Sequence, residues 1–234
     1  MASSRFINQP DPLSNHSVRF SQNRLVPVQQ PTRLKLTKRT DYYEQRCVKY
    51  PGRASFHCYT EFIHALLLEA DPEVASFVPQ PYQIVVNRKP YIPDVYVVRN
   101  GQIDILELKP RAEFEPEKAM PLRAFFDQYG MHFEVLANET VLEQEPLALH
   151  WLHIVQTLAD AIGHGFDTVD QEQRLFDTAR LENSMTVGEL LGATARSERY
   201  ISELALYRLL HRHDLHCDLS VAPLDYETEV TAWF

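Results

Sequence analysis

Asp94, Glu107 and Lys109 are the residues of this chain whose types and spacing best fit a chemical task. They lie in the stretch YIPDVYVVRNGQIDILELKP, residues 91–110, where two apolar runs meet at Asn100-Gly101. Asn-Gly between alternating apolar residues is the strongest local hairpin signal, because both central residues of a type I′ turn take positive φ. With those two as the loop, Arg99 faces Gln102, Val98 faces Ile103, and the ladder sets Asp94 opposite Glu107. Opposed Cβ atoms stand roughly 4.5–5.5 Å apart and residues two apart share a face, so Asp94, Glu107 and Lys109 point the same way. Like charges opposed across a ladder are destabilising and call for a cation or a shared proton. A hard divalent ion such as Mg²⁺ takes carboxylate, water and phosphate oxygens, and it makes bound water more acidic while polarising a phosphoryl group. Lys109 would hold or deprotonate the attacking water, or neutralise charge on the phosphorane. The chemistry expected is phosphodiester hydrolysis. An E-x-K triplet is more often the wet face of a strand. Here Ile103 and Ile105 share the face of Glu107 while Leu106 and Leu108 fill the other. The strand therefore reads as buried on both sides, where a charged pair is uncommon without a role.

The surrounding pattern supplies the elements that must hold these side chains. Thr60 reads as the cap of a helix over 60–70 with Phe62, Ile63, Leu66 and Leu67 as its buried stripe. Glu61 falls in its first turn, where a carboxylate suits the helix dipole whatever else it does. After a turn region and residues 74–78, a strand over 83–87 and a turn at Arg88-Lys89 lead into the hairpin. Pro110 ends the last strand, a helix follows over 116–128, and MHFEVLA, residues 131–137, reads as a further buried strand. Helix, three antiparallel strands, helix and strand make an α/β pattern around a mixed central sheet. From Glu139 the pattern is helical almost throughout. Leu147, Trp151, Ile154, Leu158 and Ile162 recur at helical spacing. Two shorter helices are expected over 187–192, capped by Thr186 or Ser184, and over 198–212. With the extended piece HCDLSVAP they suit a helix-turn-helix with a small wing, a pattern any compact three-helix unit shares.

The 234 residues are 44% hydrophobic, ample for a core, with no run long enough to span a bilayer and no apolar leader at MASSRFINQP. A cytoplasmic protein is expected. Cys47, Cys58 and Cys217 show neither paired metal-ligand spacing nor a disulfide framework. His211, His213 and His216, beside Arg208 and Arg212, read as a solvated basic helix end, while His57 lies closer to the proposed chemistry, where it could contact phosphate, and is not assigned to the site. The net charge is −9, yet residues 1–53 hold ten of the 23 basic residues against Asp11, Asp41 and Glu44. Such asymmetry suits a phosphate-tracking arm, rich in Pro, Gln, Asn and Ser over 1–32 and basic at Arg33, Lys35, Lys38 and Arg39. Three parts are expected: a basic arm over 1–50, a domain holding the acidic site over 51–140, and a helical domain over 141–234.

Glu61, Pro93-Asp94 and Glu107-Leu108-Lys109 together resemble the PD-(D/E)xK nuclease superfamily. More specifically, FHCYTEFIHALLLEADPEVASFVPQPYQIVV, KPYIPDVYVV and IDILELKP are similar to the TnsA-like endonuclease subunit of heteromeric transposases. The similar features are a helix-borne Glu ahead of the PD strand, a QP followed by a hydrophobic strand, and an acid-x-Lys strand ending in Pro. They cover residues 50–137; the arm and the C-terminal helices are similar only in layout. The resemblance implies a restriction-endonuclease-like mixed sheet flanked by helices, followed by a small, mainly α-helical, winged-helix-like C-terminal domain. It implies Mg²⁺, with Mn²⁺ as a substitute, bound by Glu61, Asp94, Glu107 and the Leu108 carbonyl, with Lys109 serving the attacking water. It further implies cleavage of double-stranded DNA at the 5′ ends of a transposon, in a cut-and-paste reaction whose 3′ ends fall to a DDE transposase partner. The C-terminal domain would contact an AAA+ ATPase regulator. The best-known member of that family carries Gln where Glu107 stands, so this chain has the superfamily's more usual acid. The competing expectations are a stand-alone restriction or repair nuclease, and a nuclease-like fold kept as a non-catalytic DNA-binding scaffold.

Overall fold

A computed structural model describes residues 7–10, 17–20, 26–32, 41–192 and 195–233. In chain order the elements are β1 (Ile7–Pro10), β2 (Ser17–Phe20), β3 (Tyr43–Arg46), β4 (Arg53–Phe56), α1 (Tyr59–Ala70), β5 (Val74–Pro79), β6 (Ile84–Val86), β7 (Lys89–Tyr91), β8 (Val95–Arg99) and β9 (Gln102–Lys109). There follow α2 (Pro116–Asp127), β10 (Met131–Ala137), α3 (Asn138–Leu142), α4 (Glu145–Ala161), α5 (Val169–Glu182), β11 (Met185–Thr186), α6 (Val187–Gly192), α7 (Arg199–His211), β12 (Leu215–His216) and β13 (Glu229–Ala232). These fall into two compact units, one drawing on Gly52–Phe62 and Glu73–Glu143 with the chain up to Gln45, the other on Arg46–Pro51, Ile63–Pro72 and Gln144–Phe234.

The first unit is built on a mixed sheet in the order β10-β9-β8-β5. β8 and β9 are antiparallel, whereas β9 and β10 are parallel and are joined through α2, as a parallel pair requires a crossover. Asn100 and Gly101 take φ of 48° and 76°, as the hairpin demands. A second sheet runs β1-β2-β6-β7. Two strands of this sheet thus come from the stretch expected as an arm: β2 pairs with β6 through Val18 and Val86, and Val18 is buried. Arg33, Lys35, Lys38 and Arg39 lie outside the described residues. Tyr82, Ile84, Ile105, Leu122, Phe126 and Phe133 form the core, with Phe126 stacked on Phe133 at 6.0 Å.

The helix that carries Glu61 begins at Tyr59, so Thr60 lies within it and is not its cap. It is also buried more widely than a stripe, for His64, Leu68 and Glu69 are buried along with Ile63 and Leu66.

The second unit packs Trp151, Ile154, Leu158, Leu204, Leu206 and Leu210 from α4 and α7 around a small sheet in the order β11-β13-β12. α6 is capped as expected: Thr186 Oγ1 accepts the Glu189 N–H at 3.1 Å and the Glu189 carboxylate accepts the Thr186 N–H at 2.8 Å, a reciprocal capping box. Gly165, at φ 65°, ends the turn Ile162–His164 in the left-handed conformation, which is the role of this Gly-His-Gly fragment. Among the described residues no helix is long and apolar enough to cross a membrane.

Candidate active site

The hairpin forms in the expected register, with Val95 paired to Leu106, Val97 to Asp104 and Arg99 to Gln102. Backbone pairing stops one rung short of Asp94, where Pro93 has no N–H to offer a ladder. The Asp94 carbonyl instead accepts the Gln80 N–H at 2.8 Å, across from β5. Its carboxylate turns to the neighbouring strand, Oδ2 accepting the Leu108 N–H at 2.7 Å. β9 is buried on both faces from Ile105 to Leu108, and Glu107 is only 3% exposed.

Three of the expected metal-ligand oxygens surround one cation, and that cation belongs to the chain. Lys109 Nζ stands 2.6 Å from Glu107 Oε1, 3.9 Å from Asp94 Oδ2 and 3.2 Å from its neighbour's carbonyl, Leu108 O. Its ammonium also lies over the Phe114 ring at 5.9 Å. Burial, Glu107 and Glu61 together push the Asp94 carboxyl well above the usual range, against the pull of Lys109 and of the Leu108 N–H. Burial alone would lower the Lys109 pKa, but Asp94, Glu107 and Glu61 outweigh it, so the amine is held more firmly protonated than a free lysine. Three carboxyl groups share one ammonium in a poorly solvated place, so burial and mutual repulsion favour their protonated forms unless more positive charge is supplied.

Glu61 reaches this cluster through its field rather than through a hydrogen bond, and its own carboxylate is committed locally. Oε2 accepts the His57 N–H at 3.0 Å and the Gln80 Nε2–H at 2.7 Å, while Cys58 Sγ lies 3.5 Å from Oε1. Its position in the first turn suits the helix dipole, as expected, and its bond to the His57 N–H ties the residue to the chain just before the helix. Burial raises its pKa, and the His57 N–H partly offsets that. His57 does not stand free to meet phosphate: its Nε2 is 2.8 Å from Thr32 Oγ1.

Two site residues escaped sequence reasoning. The Tyr91 hydroxyl donates to Glu107 Oε2, so one oxygen of Glu107 faces Tyr91 and the other Lys109. Gln80 joins the Glu61 side chain to the Asp94 backbone, and its one visible signal was its place before Pro81.

Among the described residues no group of three or more His, Cys, Asp or Glu side chains is arranged to hold a metal ion. The side-chain donors Lys109, Tyr91 and Gln80 occupy the carboxylate oxygens. The oxygens that a divalent ion would take are those on Lys109, supplied by Asp94, Glu107 and Leu108, with Glu61 beside them. The chain matches no protein-family model and no curated protein.

The expected histidine cluster at the end of α7 is corrected. His211 is 7% exposed and its Nε2 lies 2.8 Å from Oε2 of Glu69, which is fully buried. Arg212 pairs with Glu172 at 2.7 Å and Arg208 with the same carboxylate at 3.5 Å. The reading fails at His211, which is buried, and holds at Arg212 and His216, which are exposed.

Proposed function

We propose that this chain is a Mg²⁺-dependent DNA endonuclease subunit of a heteromeric transposase, hydrolysing phosphodiesters at the 5′ ends of the element. The observation that carries the reading is the Lys109 ammonium seated among oxygens of Asp94, Glu107 and Leu108. A cation already stands there, and three carboxyl groups around one lysine can accept more positive charge than that lysine brings. Asp94, Glu107 and the Leu108 carbonyl would hold Mg²⁺, with Glu61 as the fourth contributor. When bound, that ion supplies Lewis-acid polarisation of a phosphate oxygen and a more acidic water.

The chain's own groups do the rest. Lys109, moved off the carboxylates, loses the contacts with Asp94 and Glu107 that hold its proton. It would orient the attacking water or take its proton, and stabilise charge on the phosphorane. The Tyr91 hydroxyl fixes one Glu107 oxygen and leaves the other for the cation. Arg33, Lys35, Lys38 and Arg39 would track phosphates, a contact that weakens steeply with salt. The second unit would serve an ATPase regulator.

Mapping breaks on a donor plasmid tests the partnership. With a DDE transposase and an AAA+ ATPase encoded beside this chain, breaks at the 5′ ends are expected to need this chain and Mg²⁺, while 3′ breaks persist without it. Breaks at the 5′ ends in its absence would overturn the assignment, and efficient cutting by this chain alone would make it a stand-alone nuclease.

A further inference from the structure

Gln80 follows β5 with φ of 40°, a left-handed conformation that a residue bearing a side chain seldom adopts. Bonds on every side hold it there. Its N–H donates to the Asp94 carbonyl at 2.8 Å and its carbonyl accepts the Gln30 N–H at 3.0 Å. The side chain, in a residue 3% exposed, donates from Nε2 to Glu61 Oε2 at 2.7 Å. One residue thus touches both the helix that carries Glu61 and the strand end that carries Asp94.

The sense of that amide is set from outside. Gln29 grips the backbone of Ser55 with both ends of its own amide, Oε1 accepting the Ser55 N–H at 3.3 Å and Nε2 donating to the Ser55 carbonyl at 2.7 Å. This fixes which end of Gln29 faces Gln80: Nε2 donates to Gln80 Oε1 at 2.7 Å. With its carbonyl taken by a donor, Gln80 has only its NH₂ to present to Glu61. A flipped Gln80 amide would set oxygen against the Glu61 carboxylate and nitrogen against nitrogen.

Resting on the nuclease reading above, we propose that Gln80 is a positioning residue which, oriented by Gln29, holds the Glu61 carboxylate in place beside the cation site. It touches no reacting atom; it holds a ligand side chain in place, as outer partners of metal ligands do.

The test titrates Mg²⁺ calorimetrically into the full chain, wild type and Gln80→Met, at a temperature where both are folded, and follows DNA cleavage against Mg²⁺ in parallel. Methionine keeps the volume and removes the donor. The Mg²⁺ dissociation constant and the half-saturating Mg²⁺ for cleavage are expected to rise on the order of 10-fold or more, with KM for DNA unchanged. A merely structural role would leave Mg²⁺ affinity of the folded protein alone. Gln29→Met, which does not touch Glu61, is expected to shift both in the same direction, and it decides the matter if Gln80→Met does not fold. Unchanged Mg²⁺ affinity in the folded variants, with wild type binding and cleaving, overturns the role of Gln80 only. Wild-type protein that binds no Mg²⁺ overturns this role and the nuclease reading together.

Discussion

Lys109→Met is expected to lower strand cleavage by about 10²–10⁴-fold while the chain stays folded. The methionine keeps the apolar stem that carries the ammonium over Phe114, so the loss falls on the charge 2.6 Å from Glu107. Without that charge the carboxylates of Glu61, Asp94 and Glu107 face one another uncompensated, so the metal-free variant is expected to melt at lower temperature than wild type. The ammonium and a divalent ion compete for the same oxygens. Mg²⁺ is therefore expected to raise the melting temperature of Lys109→Met at least as much as that of wild type. Cleavage and thermal melting with and without Mg²⁺ separate the two functions of the position. Wild-type cleavage by the folded variant would remove Lys109 from the chemistry.

The largest expected loss of stability lies in the second unit, at Glu69. Its Oε1 accepts the N–H groups of Val48 and Lys49 at 2.9 and 3.0 Å, and its Oε2 pairs with His211. The carboxylate thus ties α1 to the segment Arg46–Pro51 and to the end of α7, all within one unit. Nearby, burial pulls the Lys49 ammonium down to about 8 despite Glu69 and Asp71, which raise it. Glu69→Ala leaves buried donors without an acceptor and is expected to cost about 3–5 kcal/mol in urea-induced unfolding. Glu69→Gln keeps the shape and one acceptor, and is expected to cost less. An alanine variant with wild-type stability would mean that the cluster does not hold the unit together.

How much of this was legible in the sequence follows from the range of the interactions. The β8–β9 hairpin was readable because its register is decided by two adjacent residues, Asn100 and Gly101. Asp94, Glu107 and Lys109 came with it, since a single register places all three. The strand 131–137 matched β10 in its bounds because Met131, Phe133 and Val135 alternate with His132 and Glu134, but that alternation buries one face only, so the strand is half-buried and not buried throughout. The N-terminal strands were not readable: β2 finds its partner in β6, far along the chain, and the alternation of its four residues SVRF is too short to stand out. Glu69 and His211 are 142 positions apart, and nothing local marks a histidine near two arginines as buried. Gln80 owes its role to a left-handed backbone and an amide direction set by Gln29, and neither is written in residue type or spacing.

The central claim is that Asp94 serves a metal-dependent hydrolytic centre, and cleavage of supercoiled plasmid by Asp94→Asn beside wild type tests it most directly. The asparagine Oδ1 can keep accepting the Leu108 N–H, so the strand end is preserved. Because the folded Asp94 carboxyl titrates above its ordinary range, it favours the fold below the unfolded pKa and loses that contribution as pH rises through the folded value. At neutral pH the neutral asparagine escapes this cost, and the metal-free variant is expected to melt no lower than wild type. Wild type is expected to nick and linearise the plasmid in Mg²⁺ and to stop in EDTA, and Asp94→Asn is expected to do neither in Mg²⁺. Cleavage by folded Asp94→Asn at the wild-type rate would contradict the assignment of this site.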